Sequence, residues 1–451
     1  MPDPTVSDTP PGRPVFTELG LPVPLVQALR REGITDAFPI QVATIPDALA
    51  GRDILGRAPT GSGKTLAFGL PLLVRLANAP AIPRRPRGLI LAPTRELAIQ
   101  IERSLEPFTT ALGLRSGTAV GGIPVARQAD RLLRGLDLLV ATPGRLADLV
   151  DRGAAALDEV RVTAVDEADH MAEFGFLPQL RRLLDLTRPD GQRLLFSATL
   201  DRDVQDLVDR YLHDPVTHTA DVQPTTTPAA THHLLHVRTE DKPEVIARIA
   251  ARTGRTLLFV RTQYGAERLT RRLRDAGIAA SALHGGKVQR KRTRTLESFA
   301  DGSVDVLVAT DIAARGIHID DVSLVVHVDP PADPKDYLHR AGRTARAGAT
   351  GTIVTLVTPE QRTEVAELFR SAGIPVEQHR IRPDDRELHR LTGARTPPGT
   401  ASRASRAASD RAPDTHGRAH RPGRTADPRD RSPHRPGRTG PARRARKRPT
   451  A

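Results

Sequence analysis

The run Ala58-Pro59-Thr60-Gly61-Ser62-Gly63-Lys64-Thr65 can hold phosphate. It follows the short apolar segment Asp53-Ile54-Leu55 and leads into a helical pattern that continues through Leu76. Glycines let backbone amides turn inward around an anion, and the helix that follows adds its positive dipole end. Lys64 can reach the β and γ phosphates of a nucleotide, and Thr65 offers a hydroxyl to Mg²⁺. Ala58 stands where the phosphate-loop pattern has its first glycine. An ordinary glycine-rich turn is the plainer alternative, and a phosphate loop alone leaves kinases, GTPases, transporters and motors open. A second candidate group, Asp166-Glu167-Ala168-Asp169, follows an apolar segment ending at Val165. Asp166 can hold the Mg²⁺, usually through water, and Glu167 can orient or deprotonate an attacking water. Acidic residues after a strand are commonly just a solvated turn. In the same α/β domain as a phosphate loop, they read as the other half of one site.

These residues need rigid strands behind them. Strands are predicted at 53–55, 89–91, 138–141, 162–165 and 194–197, and again at 257–260, 282–284, 306–309, 324–327 and 352–356. Apolar strands separated by helix-length intervals predict an α/β protein with parallel sheets covered by helices on both faces. Ligands of such sheets bind beyond the carboxyl ends of the strands, where both groups above fall. The segment 213–233, crowded with Pro, Thr and Ala, reads as a linker between two domains of similar plan. The expected divisions are a disordered start at 1–13, a first domain at 14–212, the linker, a second domain at 234–385 and a disordered tail at 386–451.

The tail also carries most of the charge. From Thr392 onward there are 15 Arg, Lys447 and four Asp, a net of +12 out of +14 for the chain. After Leu391 it has no Leu, Ile, Val, Met or aromatic residue, so it cannot bury enough apolar surface to offset the entropy of ordering. The repeat His-Arg-Pro-Gly-Arg-Thr at His420 and His434 is low complexity, not a solenoid. The chain has no cysteine, which excludes disulfides, thiolate zinc sites and iron–sulfur clusters. Its start, Met-Pro-Asp-Pro, lacks the features of a secretory signal, and no run approaches the ~20 apolar residues of a membrane span. A cytoplasmic protein is expected.

The sequence resembles the DEAD-box ATP-dependent RNA helicases of superfamily 2, of the bacterial type, and Asp166 to Asp169 spell the family's name. Gly33 to Gln41 resembles the Q motif, with Phe16 lying seventeen residues upstream of it. Pro93-Thr94-Arg95-Glu96-Leu97-Ala98, Gly121-Gly122, Thr142-Pro143-Gly144-Arg145 and Ser197-Ala198-Thr199 resemble motifs Ia, GG, Ib and III. Phe259-Val260-Arg261-Thr262 resembles motif IV, and Gln289 with Arg292 the QxxR element. Ala309 to Gly316 resembles motif V, and His339-Arg340-Ala341-Gly342-Arg343-Thr344-Ala345-Arg346 motif VI. All appear in family order across about residues 14 to 385.

The resemblance implies two tandem RecA-like domains that hydrolyse ATP between them and grip RNA, separating short duplexes locally and non-processively or remodelling RNA–protein complexes. It implies Lys64, Thr65, Asp166, Glu167, Arg343 and Arg346 as the catalytic set, with ATP and Mg²⁺ as cofactors and Thr65 and Asp166 toward the metal. Nucleotide contacts are expected from Phe16, Gln41 and the loop Ala58, Pro59, Thr60, Gly61, Ser62, Gly63, Lys64 and Thr65. The Gln41 amide can both donate to and accept from an adenine edge. Phe16 offers a stacking face, or equally a core aromatic. Arg343 and Arg346 would act as arginine fingers from the second domain. Ser197, Thr199 and Asp311 would couple the nucleotide to domain closure. Thr94, Arg95, Gly122, Thr142 and Arg145, with Gly285, Gln289, Arg292 and Thr310, would contact RNA through its sugar–phosphate backbone, independently of sequence. The arginine-rich tail would add weak, salt-sensitive RNA binding.

Three positions depart from the family pattern. Phe38 replaces a usual Thr, His318 a usual Asp near the ATP ribose (with Asp320 close by), and Ala345 a usual Gly. His232, His233 and His236 invite a metal reading, but alternate strand residues face opposite ways, and no carboxylate or thiol is spaced in sequence to complete a set. His170 reads as a neighbour of the ATP site, not an acid or base. An ATP-gated RNA clamp is the main rival, and Glu167, Arg343 and Arg346 favour an enzyme. A DNA-directed superfamily 2 helicase is the lesser one.

Overall fold

A computed structural model describes residues 15–58, 61–77, 79–219, 230–314, 322–344 and 350–399. The first half holds β1 (Ile54–Arg57), β2 (Gly88–Leu91), β3 (Ser116–Ala119), β4 (Leu138–Ala141), β5 (Val162–Val165), β6 (Gln192–Ser197) and β7 (Val216–Thr219). The second holds β8 (Thr231–His236), β9 (Arg255–Phe259), β10 (Ala280–Leu283), β11 (Val306–Ala309), β12 (Val322–His327), β13 (Thr352–Val357) and β14 (Glu377–Arg380). They form two seven-stranded sheets, β3-β4-β2-β5-β6-β1-β7 and β10-β11-β9-β12-β13-β8-β14. Strand for strand, the second order repeats the first. Every pairing is parallel. These are two tandem RecA-like domains.

Alternation along the central strands explains the layers. In the first sheet Ile54, Ile90, Val140, Ala164 and Phe196 pack on one face, and Leu55, Leu89, Leu139, Val165 and Leu195 on the other. In the second, Leu258, Val308, Val326 and Val354 oppose Leu257, Leu307, Val325 and Ile353. Both faces are therefore apolar and each must be roofed by helices.

The domain divisions need correction. The expected linker 213–233 is shorter, because β7 pairs with β1 and β8 begins at Thr231 against β13. The tail starts later than 386, because Arg386–Thr392 is a helix with Leu388 buried and Leu391 packed on the same core. Residues to 399 follow it, and the Gly399 N–H donates to the Ala276 carbonyl at 2.9 Å. The composition argument applies only after Leu391. The segments 1–14, 220–229 and 400–451 lie outside the described residues. No helix among the described residues is long and apolar enough to cross a membrane.

Candidate functional site

The candidate residues collect at the carboxyl edges of the strands. Beyond β1, the loop turns into the helix Lys64–Leu76, whose cap Gly63 has φ +88°. A Cβ there would lie 2.6 Å from the Gln41 Nε2, so this position needs glycine both for backbone and for space. Gln41 is buried, its Oε1 accepts from the Phe38 N–H at 2.8 Å, and its Nε2 donates to the Gly63 carbonyl at 2.9 Å. Gln41 thus ties the start of its own helix to the phosphate loop, and these two bonds leave one N–H and one Oε1 lone pair of its amide unused. Phe16 is 2 % exposed, in the core with Leu25, Leu29 and Ile40. The core alternative holds for most of its ring, although it also borders a cavity of about 180 Å³ with Thr17, Ile34 and Thr35. Pro59 and Thr60 lie outside the described residues.

The Lys64 ammonium is buried; it donates to the Ala58 carbonyl at 3.0 Å and lies 3.9 Å from Asp166 Oδ1. Burial pushes the Asp166 carboxyl up to about 6, with the Lys64 charge only partly opposing it. A buried carboxylate short of positive charge is a hard-oxygen donor of the kind that fits Mg²⁺, and Thr65, next to Lys64 at the start of the helix, offers a hydroxyl of the same class. Glu167 sits in the left-handed region, φ 53° and ψ 53°, which is strained for a side-chain-bearing residue. Its burial favours the neutral form, but the His170 hydrogen bond and the charges of His170, Lys64 and Arg343 outweigh burial and hold it well below the usual carboxylate range. Its Oε2 is 2.9 Å from His170 Nδ1, while its Oε1 is buried with no hydrogen-bond partner. An ionised carboxylate with a spare lone pair can accept a hydrogen bond from an attacking water and orient it.

Motif III closes around the same acids. Asp169 Oδ2 accepts from the Thr199 N–H at 3.1 Å and its hydroxyl at 3.0 Å; the Asp169 N–H donates to Ser197 Oγ at 3.3 Å. Ser197 and Thr199 therefore brace the turn that carries Glu167.

The second domain reaches this site through the helix Pro334–Ala341. His339 Nδ1 lies 3.1 Å from His170 Nε2, so an unbroken contact path runs from Glu167 across the domain boundary. Lys335 reaches Glu173 at 2.6 Å and Asp201 at 3.4 Å on the first domain. Arg340 grips Asp311 with two bonds, Nε to Oδ1 at 2.6 Å and Nη2 to Oδ2 at 2.9 Å, and donates to the Asp329 carbonyl at 2.7 Å. Arg343 is buried just beyond, and its charge is felt by Glu167. Arg346, Gly316, His318, Asp320 and Ala345 lie outside the described residues.

The expected RNA contacts divide into two groups. Thr94 caps the helix Arg95–Ala111 and Arg95 is exposed; Thr142 stands before the helix Pro143–Asp151 without a side-chain cap bond, and Arg145 donates to the Ile123 carbonyl at 2.7 Å. Gly285 follows β10 exposed, and Thr310 follows β11 buried. Gln289 and Arg292 reach the first domain, where both donate to Glu96 Oε1, at 2.8 and 2.7 Å. Gly122 is pressed against them, since a Cβ there would fall 2.8 Å from Gln289 Cβ. Two donors from the second domain thus meet one buried carboxylate of the first.

Comparison with known proteins fits this geometry. Residues 38–207 match the DEAD/DEAH box helicase family and 241–348 the helicase conserved C-terminal domain. Over 377 residues the chain is 38 % identical to the ATP-dependent RNA helicase DBP2 of Candida glabrata, covering 81 % of this chain and 69 % of that one. The chain belongs to the DEAD/DEAH box helicase family.

This helicase-family chain is 39 % identical to the pre-mRNA-processing ATP-dependent RNA helicase PRP5 of Mycosarcoma maydis over 79 % of its length, but spans only 32 % of that relative. Among solved structures, Dbp5 of S. cerevisiae bound to RNA and ADP BeF3 matches with a TM-score of 0.73 and 28 % identity, over 84 % of this chain and 98 % of that one. The helicase Mss116 bound to ssRNA and UDP-BeF matches with 0.70 and 26 %, over 83 % and 81 %. The reported relatives are fungal and do not bear out a bacterial subtype. In this family member, sequence reasoning gave no role to Glu96, Lys335, His339 and Arg340. Glu96, His339 and Arg340 left a signal by lying within the motif Ia and motif VI runs, whereas Lys335 left none.

Proposed function

We propose that this chain is an RNA-dependent ATPase that couples hydrolysis to local, non-processive separation of short RNA duplexes or remodelling of RNA–protein complexes, in the cytoplasm. The observation that carries the reading is the path Glu167–His170–His339, which makes the base candidate answerable to the second domain. ATP would lie with its phosphates over Gly61 to Thr65. Glu167 Oε1 takes a proton from water, the water oxygen attacks the γ-phosphorus, and the β–γ bridging oxygen leaves with ADP. Arg343, with Arg346, offsets the charge that develops on the transferred group. Mg²⁺, held by Asp166 through water and by Thr65, would supply further positive charge at the phosphate oxygens. RNA lying over Thr94, Arg95, Thr142, Arg145, Gly285 and Thr310 spans both domains, so binding it favours closure; the Dbp5 and Mss116 complexes support this.

The test is ATPase rate with and without single-stranded RNA, with DNA as control and Glu167→Gln as the chemical blank. Stimulation by RNA alone, lost in the variant, supports the reading. Binding of RNA without stimulation favours an ATP-gated clamp and sinks it.

A further inference from the structure

We propose that the second domain carries a transition-metal site, suited to Zn²⁺, formed by His233 of β8 with Glu377 and His379 of β14. The parallel register pairs Glu377 with His233, and side chains two apart on a strand share a face, so all three project from one face at the sheet edge. His233 Nδ1 lies 3.4 Å and His379 Nε2 3.6 Å from the same oxygen, Glu377 Oε2. All three candidate ligand atoms fall within 4.8 Å of one another. Zinc bonds near 2.0–2.1 Å in a tetrahedron separate neighbouring ligand atoms by about 3.3 Å. The contacts are thus close to ligand spacing with little movement required.

A second observation concerns the imidazoles themselves. His233 Nδ1 and His379 Nε2 are buried and make no hydrogen bond, although both sit beside a carboxylate. The other nitrogen of His379, Nδ1, lies 3.2 Å from Glu387 Oε1 on the helix Arg386–Thr392. A proton on Nδ1 facing that carboxylate leaves the Nε2 lone pair directed toward Glu377 and His233. A carboxylate behind a ligating histidine is the arrangement that orients zinc-bound imidazoles. Three protein donors leave a fourth position for water. The ion would fasten β14, an edge strand paired only through β8, to its neighbour.

The experiment uses the full chain after chelator treatment, titrated with Co²⁺ as a visible probe and then with Zn²⁺ in competition. One equivalent of Co²⁺ should give a visible absorption band of low-coordinate character that Zn²⁺ displaces. The band should disappear in Glu377→Gln and His379→Gln, and persist when His416, His420 and His434 are together changed to Gln or when His339→Gln removes the other histidine cluster. Zn²⁺ at a hundredfold excess over its Kd should raise the unfolding midpoint by roughly 5 °C or more, and not in Glu377→Gln. Glu377 is exposed, so that variant tests the ligand without disturbing the core. No band with the wild-type chain, or a band that survives both ligand variants, overturns the site.

Discussion

His170 Nε2 and His339 Nδ1 meet at 3.1 Å, one from each RecA-like domain, and their rings stand edge to face with centroids 4.2 Å apart. Because His170 also holds Glu167 Oε2, the position of the base is linked to the position of the opposite domain. His339→Ala should lower RNA-stimulated kcat by roughly tenfold to a hundredfold, within the range for misplacing a catalytic proton acceptor, while ATP affinity changes by only a few-fold. ATPase kinetics and a nucleotide-binding titration check the split. Equal loss in both would place His339 in nucleotide binding.

Glu96 receives two donors from the other domain, and its side chain is 6 % exposed, against 11 % for Arg292. Glu96→Gln strands a nearly buried guanidinium in the closed arrangement. Removing one partner of such a pair costs about 2–5 kcal/mol, so RNA affinity in the presence of ADP BeF3 should fall by at least tenfold. RNA affinity without nucleotide should stay near wild type, since the pair matters only when the domains meet. Fluorescence anisotropy under the two conditions gives the comparison.

Arg340 is 3 % exposed and bidentate to Asp311. A lysine keeps the charge but cannot reproduce the fork. Arg340→Lys should destabilise the second domain by about 2 kcal/mol, the order for losing a hydrogen bond to a charged group while the charge itself stays. Denaturant unfolding of the two proteins measures it.

Burial pushes the His327 imidazole well below the ordinary histidine range, and the Arg340 and His232 charges act in the same direction. Its Nδ1 bonds to Thr355 Oγ1 at 3.0 Å, and Phe259 and Tyr337 pack on its ring. A folded-state value below the unfolded one means the unfolded chain binds more protons in between. Stability is therefore full above pH ~6.5 and declines as pH falls below that value toward the depressed one. Unfolding midpoints from pH 7.5 to 5 should show this decline, and His327→Gln should flatten it.

The segment 400–451 holds the arginine excess. Deleting it should weaken RNA binding at low salt and reduce the slope of log affinity against log salt. An unchanged slope would remove the tail from RNA binding.

The phosphate loop, the acids and ten of the fourteen described strands were legible because function and burial both restrict residue type there. Of the four strands that escaped, β3 as Ser-Gly-Thr-Ala, β7 as Val-Thr-His-Thr and β14 as Glu-Gln-His-Arg lie at sheet edges, and β8, rich in His, lies one strand in from the edge beside β14. An edge strand is held mainly by one neighbour's backbone, so its side chains need not be apolar. The roles of Gln289, Arg292, His339 and the His233–Glu377–His379 group were hidden for another reason. Each depends on a partner that lies 100 or more positions away in the chain, as from Glu96 to Arg292. Periodicity records which face a side chain takes, and not what stands opposite.

The matching strand orders of the two sheets bear on how such a chain can be regulated. Under the proposed function, two copies of one scaffold divide a single active site, one holding the phosphate loop and acids, the other Arg343 and His339. Neither copy would then be a catalyst alone, and the molecule would behave as a coincidence detector whose output requires both inputs at once. A regulator need not touch the nucleotide to silence it. Holding the copies apart, by anything wedged where Gly122 now touches Gln289, would suffice.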